Sequence, residues 1–166
     1  SVSAAGPGWW LGIHIRNAGA ATLEHAVVAY SGYWDSVGVG KSGSGALTLG
    51  YATIRNTNGD GLRFSDNTGR HQVENNTFHH NSRAGINLTN SAGVSIRLNR
   101  IESNLRGIWL VSGTRPIINH NIFAGNTEYA VRNDTGVCVD ARYNYWGDAA
   151  GPNDASAAAD ACGLGS

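Results

Sequence analysis

A short pattern of apolar and polar positions recurs along the chain. An apolar residue is followed after two spacers by Asn and, after one more spacer, by a second apolar residue. Three complete copies are present: Val73-Asn76-Phe78, Ile96-Asn99-Ile101 and Ile118-Asn121-Phe123. A partial copy carries Asn144 and Trp146, and two earlier copies have Ala26 and Ala52 in the Asn position. The last apolar position therefore recurs at intervals of 22 to 26 residues.

Each copy also contains a short alternating segment after a glycine, as in Gly85-Ile86-Asn87-Leu88. Such segments predict strands, and their near-constant spacing favours the coils of a solenoid over the hairpins of a sandwich. In a parallel solenoid, equivalent positions stack about 4.8 Å apart. The pattern therefore predicts continuous apolar columns inside the solenoid. It also predicts one column of buried, mutually hydrogen-bonded asparagines: Asn76, Asn99, Asn121 and Asn144.

The stretches VENNTFHHNSRAGINL, IRLNRIESNLRGIWL and INHNIFAGNTEYAV resemble the repeats of right-handed parallel β-helix proteins. The resemblance is to the pectate-lyase-like superfamily, including NosD-like and mannuronan-epimerase-like coils, and it covers about residues 9–147. It implies an all-β fold, a right-handed single-stranded parallel β-helix of about six coils. Because this architecture supports lyases, hydrolases, epimerases, adhesins and structural shafts, it does not select a function.

We expect one β-helix domain over residues 1–147, followed by a C-terminal cap and tail over residues 148–166. A solenoid must cover its two open ends. Trp9 and Trp10 are candidates to cover the first end, and Trp146 with the tail is the candidate for the second. Cys138 and Cys162 are expected to form a disulfide that ties the tail to the last coil; two buried free thiols are the alternative.

Composition narrows the choice of partners. The chain has 166 residues, no formal net charge, only 14% charged residues and 23 glycines, which favours strands and turns over helices. The absence of a Lys/Arg run argues against nucleic acid or an anionic membrane surface as a partner, and no apolar stretch is long enough to span a bilayer. We expect an extracellular, cell-surface or periplasmic protein that contacts a polysaccharide or other modules of a parent protein.

The outward positions after the recurring glycine form a predicted surface column. Its members are His14, Gly38, Arg63, Asn87, Trp109 and Arg132. An aromatic ring between guanidinium and amide groups is typical of a sugar-binding surface, and Arg63, Asn87, Trp109 and Arg132 are the candidate substrate-binding residues. The alternative is that a loop covers Trp109 and the arginines only keep the surface soluble.

A second predicted column contains the candidate catalytic residues Arg55, His79 and Glu102, one from each of three successive copies. Stacking would place a cation, an imidazole and a carboxylate close enough for proton transfer. The alternative is an exposed ladder of charges, each of which contributes little.

Features of the related enzymes are missing. The only lysine, Lys41, lies in the least regular copy, no paired carboxylates are evident, and no DPHD motif is present. Metal binding is not expected, because His79 and His80 are adjacent and should point to opposite faces of a strand. No cofactor is expected apart from calcium, for which the tail offers oxygen ligands without the usual spacing: Asp148, Asn153, Asp154 and Asp160.

The sequence thus favours a non-catalytic extracellular β-helix module that binds carbohydrate or acts as a rigid spacer. The alternative is a polysaccharide-active enzyme, a lyase or an epimerase, that uses a face of the β-helix.

Overall fold

The computed structural model describes residues 6–34 and 36–147, and this part of the chain is all-β. Its sixteen strands, β1 to β16 in chain order, form three parallel sheets that wrap around one interior. The first sheet contains β1 (Ile13–Ile15), β4 (Val37–Gly43), β7 (Asp60–Asn67), β10 (Ala84–Ser91), β13 (Arg106–Ser112) and β16 (Tyr129–Asn133). The second contains β2 (Ala21–Glu24), β5 (Leu47–Gly50), β8 (His71–Glu74), β11 (Val94–Arg97) and β14 (Ile117–Asn119). The third contains β3 (Val27–Ala29), β6 (Thr53–Arg55), β9 (Thr77–His79), β12 (Arg100–Glu102) and β15 (Ile122–Ala124).

Each strand pairs with the strand three places further along the chain, so one coil contributes one strand to each sheet. The predicted single-stranded parallel β-helix is confirmed. There are five complete coils, and β16 adds a sixth strand to the first sheet. Single bridges at Asp140 and Tyr145 extend the other two sheets. Within residues 6–34 and 36–147, no helix is long and apolar enough to cross a membrane.

The interior is built from the predicted apolar columns. In the first sheet, Leu62, Ile86 and Ile108 stack in register and are fully buried. In the third sheet, Phe78, Ile101 and Phe123 form an equivalent column. Since each inward side chain contacts its equivalents above and below, the sequence repeat becomes a continuous core.

The predicted asparagine column is present at the corner between the second and third sheets. The Nδ2 atoms of Asn76, Asn99 and Asn121 each donate to Oδ1 of the next asparagine at 3.0 Å, and the column ends at Asn144. The same Oδ1 atoms also accept the backbone N–H of the preceding member. Buried amide groups are thereby satisfied, which removes the cost of placing them in the interior.

A second polar column lies at the corner between the third and first sheets: Ser31, Thr57, Asn81, Asn104 and Asn126. At both corners the residue before the buried polar side chain has a left-handed conformation, as at Asn75 (φ 59°) and His80 (φ 55°). This conformation bends the backbone between sheets and is less costly for Asn and His than for most residues.

The two ends of the solenoid differ. Trp146 stacks on the buried ring of Phe123 with centroids 5.1 Å apart, as predicted for the C-terminal end. Trp9 and Trp10 are 59% and 40% exposed, as the outer side of an end cap is, and their covering of the first coil stays a prediction. The indole N–H of Trp10 donates to the carbonyl of Ala29, which holds that ring at the edge of the third sheet.

The disulfide stays a prediction, because Cys162 and the rest of the tail lie outside the described residues. We expect protein purified without reductant to contain the Cys138–Cys162 bond. Mass spectrometry of material alkylated before reduction should then show no modified cysteine, whereas two alkylated thiols would contradict the prediction. Removing the bond by Cys138→Ser should cost at most about 2 to 4 kcal/mol, since it closes a loop of moderate length.

Lys41 and His71, both titratable, lie inside the β-helix, which the repeat pattern did not indicate. Lys41 is 2% exposed on the inward side of β4 and donates to the carbonyl of Ser42 at 2.6 Å. Burial lowers the pKa of its ammonium group. His71 is 1% exposed, and its Nδ1 accepts the backbone N–H of Leu47 at 3.0 Å, so the proton of the neutral ring is on Nε2.

His71 should make the stability of the protein depend on pH. Burial, assisted by the charge of Lys41, lowers the pKa of His71 to about 4, against an ordinary value of 6.5. Between pH 6.5 and about 4, His71 is therefore protonated in the unfolded chain but stays neutral in the folded protein. About 3 kcal/mol of stability present above pH 6.5 should be lost as the pH falls to 4.

Chemical denaturation between pH 4 and 6.5 measures this loss of stability. His71→Asn, which keeps an acceptor but does not titrate, should lose much less, and an unchanged pH dependence would contradict the assignment.

Candidate functional site

The outer surface of the first sheet carries the predicted polar column. Arg63, Asn87, Trp109 and Arg132 lie at matching register positions of four adjacent strands. The four candidate binding residues are therefore successive neighbours across the sheet. His14 begins the column, but its next member is Gly40 and not Gly38. The correction has a geometric cause: Gly38 lies two residues earlier on β4, where an added Cβ would come within 2.5 Å of the Gly61 carbonyl oxygen.

Arg63 and Asn87 are held by a buried carboxylate. Asp60, at the start of β7, is 0% exposed, and its Oδ2 accepts from Nε of Arg63 at 2.8 Å and from Nδ2 of Asn87 at 3.2 Å. Its Oδ1 accepts the backbone N–H of Ala84. Asn87 itself is 5% exposed. The main contacts of these two side chains are thus within the protein, and they support the surface beside Trp109.

Trp109 is surrounded by arginines. The guanidinium carbon of Arg106 lies 4.7 Å from the centre of an indole ring, and those of Arg83 and Arg132 lie 5.6 Å from it. These distances are typical of cation–π contacts. The ring is half-buried, and its Nε1 donates to Oδ2 of Asp134 at 2.9 Å. We call Arg83, Arg106, Trp109, Arg132 and Asp134 the arginine–tryptophan site.

Carboxylates neutralise part of this charge. Arg106 pairs with Glu128 at 2.6 Å, and Arg132 pairs with Asp134 at 2.8 Å. The hydrogen bond from Trp109, together with Arg132, lowers the pKa of the Asp134 carboxyl group. The side chain of Arg83 is 44% exposed, and its ion-pair distance is 4.0 Å, to an Asp60 oxygen that Arg63 already contacts at 2.8 Å. Arg83 therefore carries the least compensated positive charge of the site.

Sequence reasoning missed Arg83 and Arg106 because neither lies in the alternating outward column. Arg106 begins β13, and Arg83 immediately precedes β10, where the chain turns from the third sheet into the first. A signal was available: an arginine stands one or two residues before the recurring glycine in two successive repeats, at Arg83-Ala84-Gly85 and at Arg106-Gly107.

The candidate catalytic residues are aligned, but their side chains bond elsewhere. Arg55, His79 and Glu102 occupy equivalent positions of β6, β9 and β12. Arg55 donates to Asn56 and to the hydroxyl of Tyr30, and Glu102 pairs with Arg100 at 2.6 Å. Burial, followed by the charges of His80 and Arg55, lowers the pKa of His79, while Glu102 opposes that shift. Within the described part of the chain, no hydrogen bond joins the three side chains to one another.

The prediction that His79 and His80 point to opposite faces is wrong. The left-handed conformation of His80 turns its side chain towards that of His79, and their Nδ1 atoms are 2.7 Å apart. Among the residues that the structure describes, no group of three or more His, Cys, Asp or Glu side chains could hold a metal ion. The oxygen ligands considered for calcium lie outside the described residues: Asp148, Asn153, Asp154 and Asp160.

Comparisons with known proteins agree with this architecture. A family model described as a right-handed β-helix region matches residues 11–144, most of the chain. No curated protein and no solved structure gives a significant match. The chain belongs to the right-handed parallel β-helix family.

Proposed function

We propose that this chain is a non-catalytic β-helix module that binds an acidic carbohydrate at the arginine–tryptophan site. The observation that carries the proposal is the convergence of Arg83, Arg106 and Arg132 on one half-buried indole ring at the outer surface of a rigid sheet. Such a cluster concentrates positive charge in a protein that has no net charge. A carboxylate or sulfate group of a sugar matches it, because guanidinium groups bind these anions through paired hydrogen bonds.

The contacts of Trp109 suggest how the sugar would be held. Three guanidinium groups already lie against the indole, so its main task is to position the arginines, with a smaller role in direct stacking on a pyranose ring. Arg83 and Arg132, which are both partly exposed, would bind the acidic group. Ser65 and Thr89 lie side by side on the same sheet, and their hydroxyl groups could bond those of the sugar.

Several contacts favour binding over catalysis. Arg55 and Glu102 are engaged by other partners, and Lys41, the only lysine of the chain, is enclosed in the interior. The alternative function, a polysaccharide lyase or epimerase, retains one supporting observation: Arg55, His79 and Glu102 are aligned across three coils. An extracellular or cell-surface location would suit a glycan-binding module and forms part of the proposal.

The second non-catalytic role, a rigid spacer between modules, is favoured by a different surface. Trp9, Tyr33 and Trp34 are 59%, 61% and 79% exposed near the first coil, and the rings of Tyr33 and Trp34 pack edge to face. Clustered exposed aromatic residues often mark contacts with other proteins. This surface would serve a spacer without any sugar.

A glycan array followed by titrations tests the proposal. We expect binding to polyuronates or sulfated glycans, no binding to uncharged glucans, and weaker binding at higher salt. Arg83→Ala should weaken binding by about tenfold or more, because a hydrogen-bonded ion pair is lost. Arg97→Ala is the matched control: it removes an exposed arginine of the second sheet, whose Nε bonds Asn119, and should change affinity little.

Three results would overturn the proposal. Equal losses in Arg83→Ala and Arg97→Ala would mean that the glycan responds only to overall charge. Formation of unsaturated uronate absorbance during incubation with the same polysaccharides would favour the lyase. Absence of glycan binding, together with self-association that Trp34→Ala abolishes, would favour the spacer.

A further inference from the structure

The two imidazole rings at the end of β9 approach each other unusually closely. Nδ1 of His79 and Nδ1 of His80 are 2.7 Å apart, and the ring planes are nearly perpendicular at 82°. In this arrangement one nitrogen donates a proton and the other accepts it. A second cation could replace that proton, since neutral imidazole nitrogen is among the commonest metal ligands in proteins.

The separation that two nitrogen ligands need depends on the coordination geometry of the metal ion. Metal–nitrogen bonds of about 2.0 Å place two cis ligands of a square-planar ion about 2.8 Å apart, and two ligands of a tetrahedral ion about 3.3 Å apart. The separation of 2.7 Å, which the hydrogen bond between the rings sets, is closer to the square-planar spacing than to the tetrahedral one. Square-planar geometry with nitrogen ligands is characteristic of Cu²⁺ and Ni²⁺, and Cu²⁺ binds more tightly. We propose that His79 and His80 form a two-nitrogen site for Cu²⁺, with water completing the coordination.

The backbone makes this pair possible. On a regular strand, adjacent side chains point to opposite faces and cannot share an ion. His80 follows the last residue of β9 and has φ 55°, so the chain bends between the two residues and their rings meet on one side. To bind the ion, each nitrogen lone pair must turn about 45° away from the line between the nitrogens. His80 is exposed, which leaves its ring room to turn.

The neighbouring charges are balanced around the pair. Glu102 lies beside His79 on β12 and favours a bound cation, although Arg100 holds its carboxylate. Arg55 lies on the other side, on β6, but its guanidinium is directed to Asn56 and Tyr30.

This site is independent of the arginine–tryptophan site, because His79 belongs to the third sheet and Trp109 to the first. Loss of copper binding would therefore leave the glycan proposal intact, and the reverse also holds. No group of three protein ligands is required, since the remaining positions of the ion are taken by water.

Titration of the full chain with CuCl₂ in the presence of glycine as a weak competitor, followed by electron paramagnetic resonance, tests the proposal. We expect one bound Cu²⁺ per chain, with a square-planar spectrum and imidazole nitrogen couplings. His79→Gln and His80→Asn should each weaken binding by at least about tenfold, the loss of one metal–nitrogen bond. Asn is chosen at position 80 because it tolerates the left-handed conformation. ZnCl₂ should bind at least about tenfold more weakly than CuCl₂.

His120→Asn is the matched control, because His120 is also exposed and left-handed (φ 56°) but stacks on Tyr143 without a second imidazole. It should bind Cu²⁺ like the unmodified protein. Equal loss in His120→Asn, or undiminished binding in the His79→Gln/His80→Asn double variant, would overturn the proposal. Should a variant misfold, paramagnetic broadening in the unmodified protein decides: it should be centred on His79 and His80, and broadening centred elsewhere would contradict the site.

Discussion

Replacing Asn99 with Leu should destabilise the protein by about 3 to 5 kcal/mol. Oδ1 of Asn99 accepts both the backbone N–H and the side-chain amide of Asn76, and its Nδ2 donates to the carbonyl of Val73 and to Asn121. Leucine removes all four hydrogen bonds. Because each unsatisfied buried polar group costs about 1 to 3 kcal/mol, losses on both neighbouring coils should add. Urea denaturation followed by circular dichroism measures the effect.

Asn119→Leu is the control for this prediction. It makes the same substitution on a neighbouring coil, at a half-buried surface position where, within the described residues, the side-chain oxygen accepts hydrogen bonds only from the exposed Arg97 and His120. The expected change is within about 1 kcal/mol. If the two substitutions cost the same, the asparagine column does not stabilise the interior as described.

Replacing Gly107 with Ala should be similarly damaging, at about 3 kcal/mol or more, or should prevent folding. An added Cβ would lie 2.4 Å from the carbonyl oxygen of Ala130 on the next strand and 3.0 Å from the ring of Phe123. Both neighbours are fixed by the stacking of successive coils, so the contact can be relieved only by separating backbone strands. Soluble yield and denaturation midpoint report the result.

Ala130→Gly provides the reciprocal control. Ala130 occupies the equivalent position on β16, the last strand of the first sheet in the described part of the chain, where an alanine is present naturally. Its change to glycine should cost no more than about 1 kcal/mol, chiefly from chain entropy. A Gly107→Ala protein as stable as Ala130→Gly would show that the coils are not packed as closely as the structure indicates.

The fold could be predicted from the sequence because the repeat encodes it several times over. Each coil supplies its own Asn, its own glycine and its own inward apolar residues, so an irregularity in one copy leaves the pattern legible in the others. The assignment failed where the repeat is least regular: the second coil was misaligned by two residues, at Gly38 instead of Gly40.

The candidate site was predicted less completely, for two physical reasons. Period-two alternation identifies the outward residues of strands, but Arg83 and Arg106 reach Trp109 from strand starts, where that alternation does not apply. The same rule separated His79 from His80, because a left-handed residue reverses the expected side-chain direction. The buried carboxylate of Asp60, which organises Arg63 and Asn87, is hidden from sequence reasoning because its partners come from different coils.

Binding of an acidic sugar at the arginine–tryptophan site can be followed by nuclear magnetic resonance of the five indole N–H groups during titration with an oligouronate. The chain has five tryptophans, Trp9, Trp10, Trp34, Trp109 and Trp146, so each should give one assignable signal. We predict a saturable shift of the Trp109 signal, whose N–H bonds Asp134 beside Arg132, while the other four stay in place. Shifts confined to Trp9, Trp10 and Trp34 would contradict the account and place the sugar at the first coil instead.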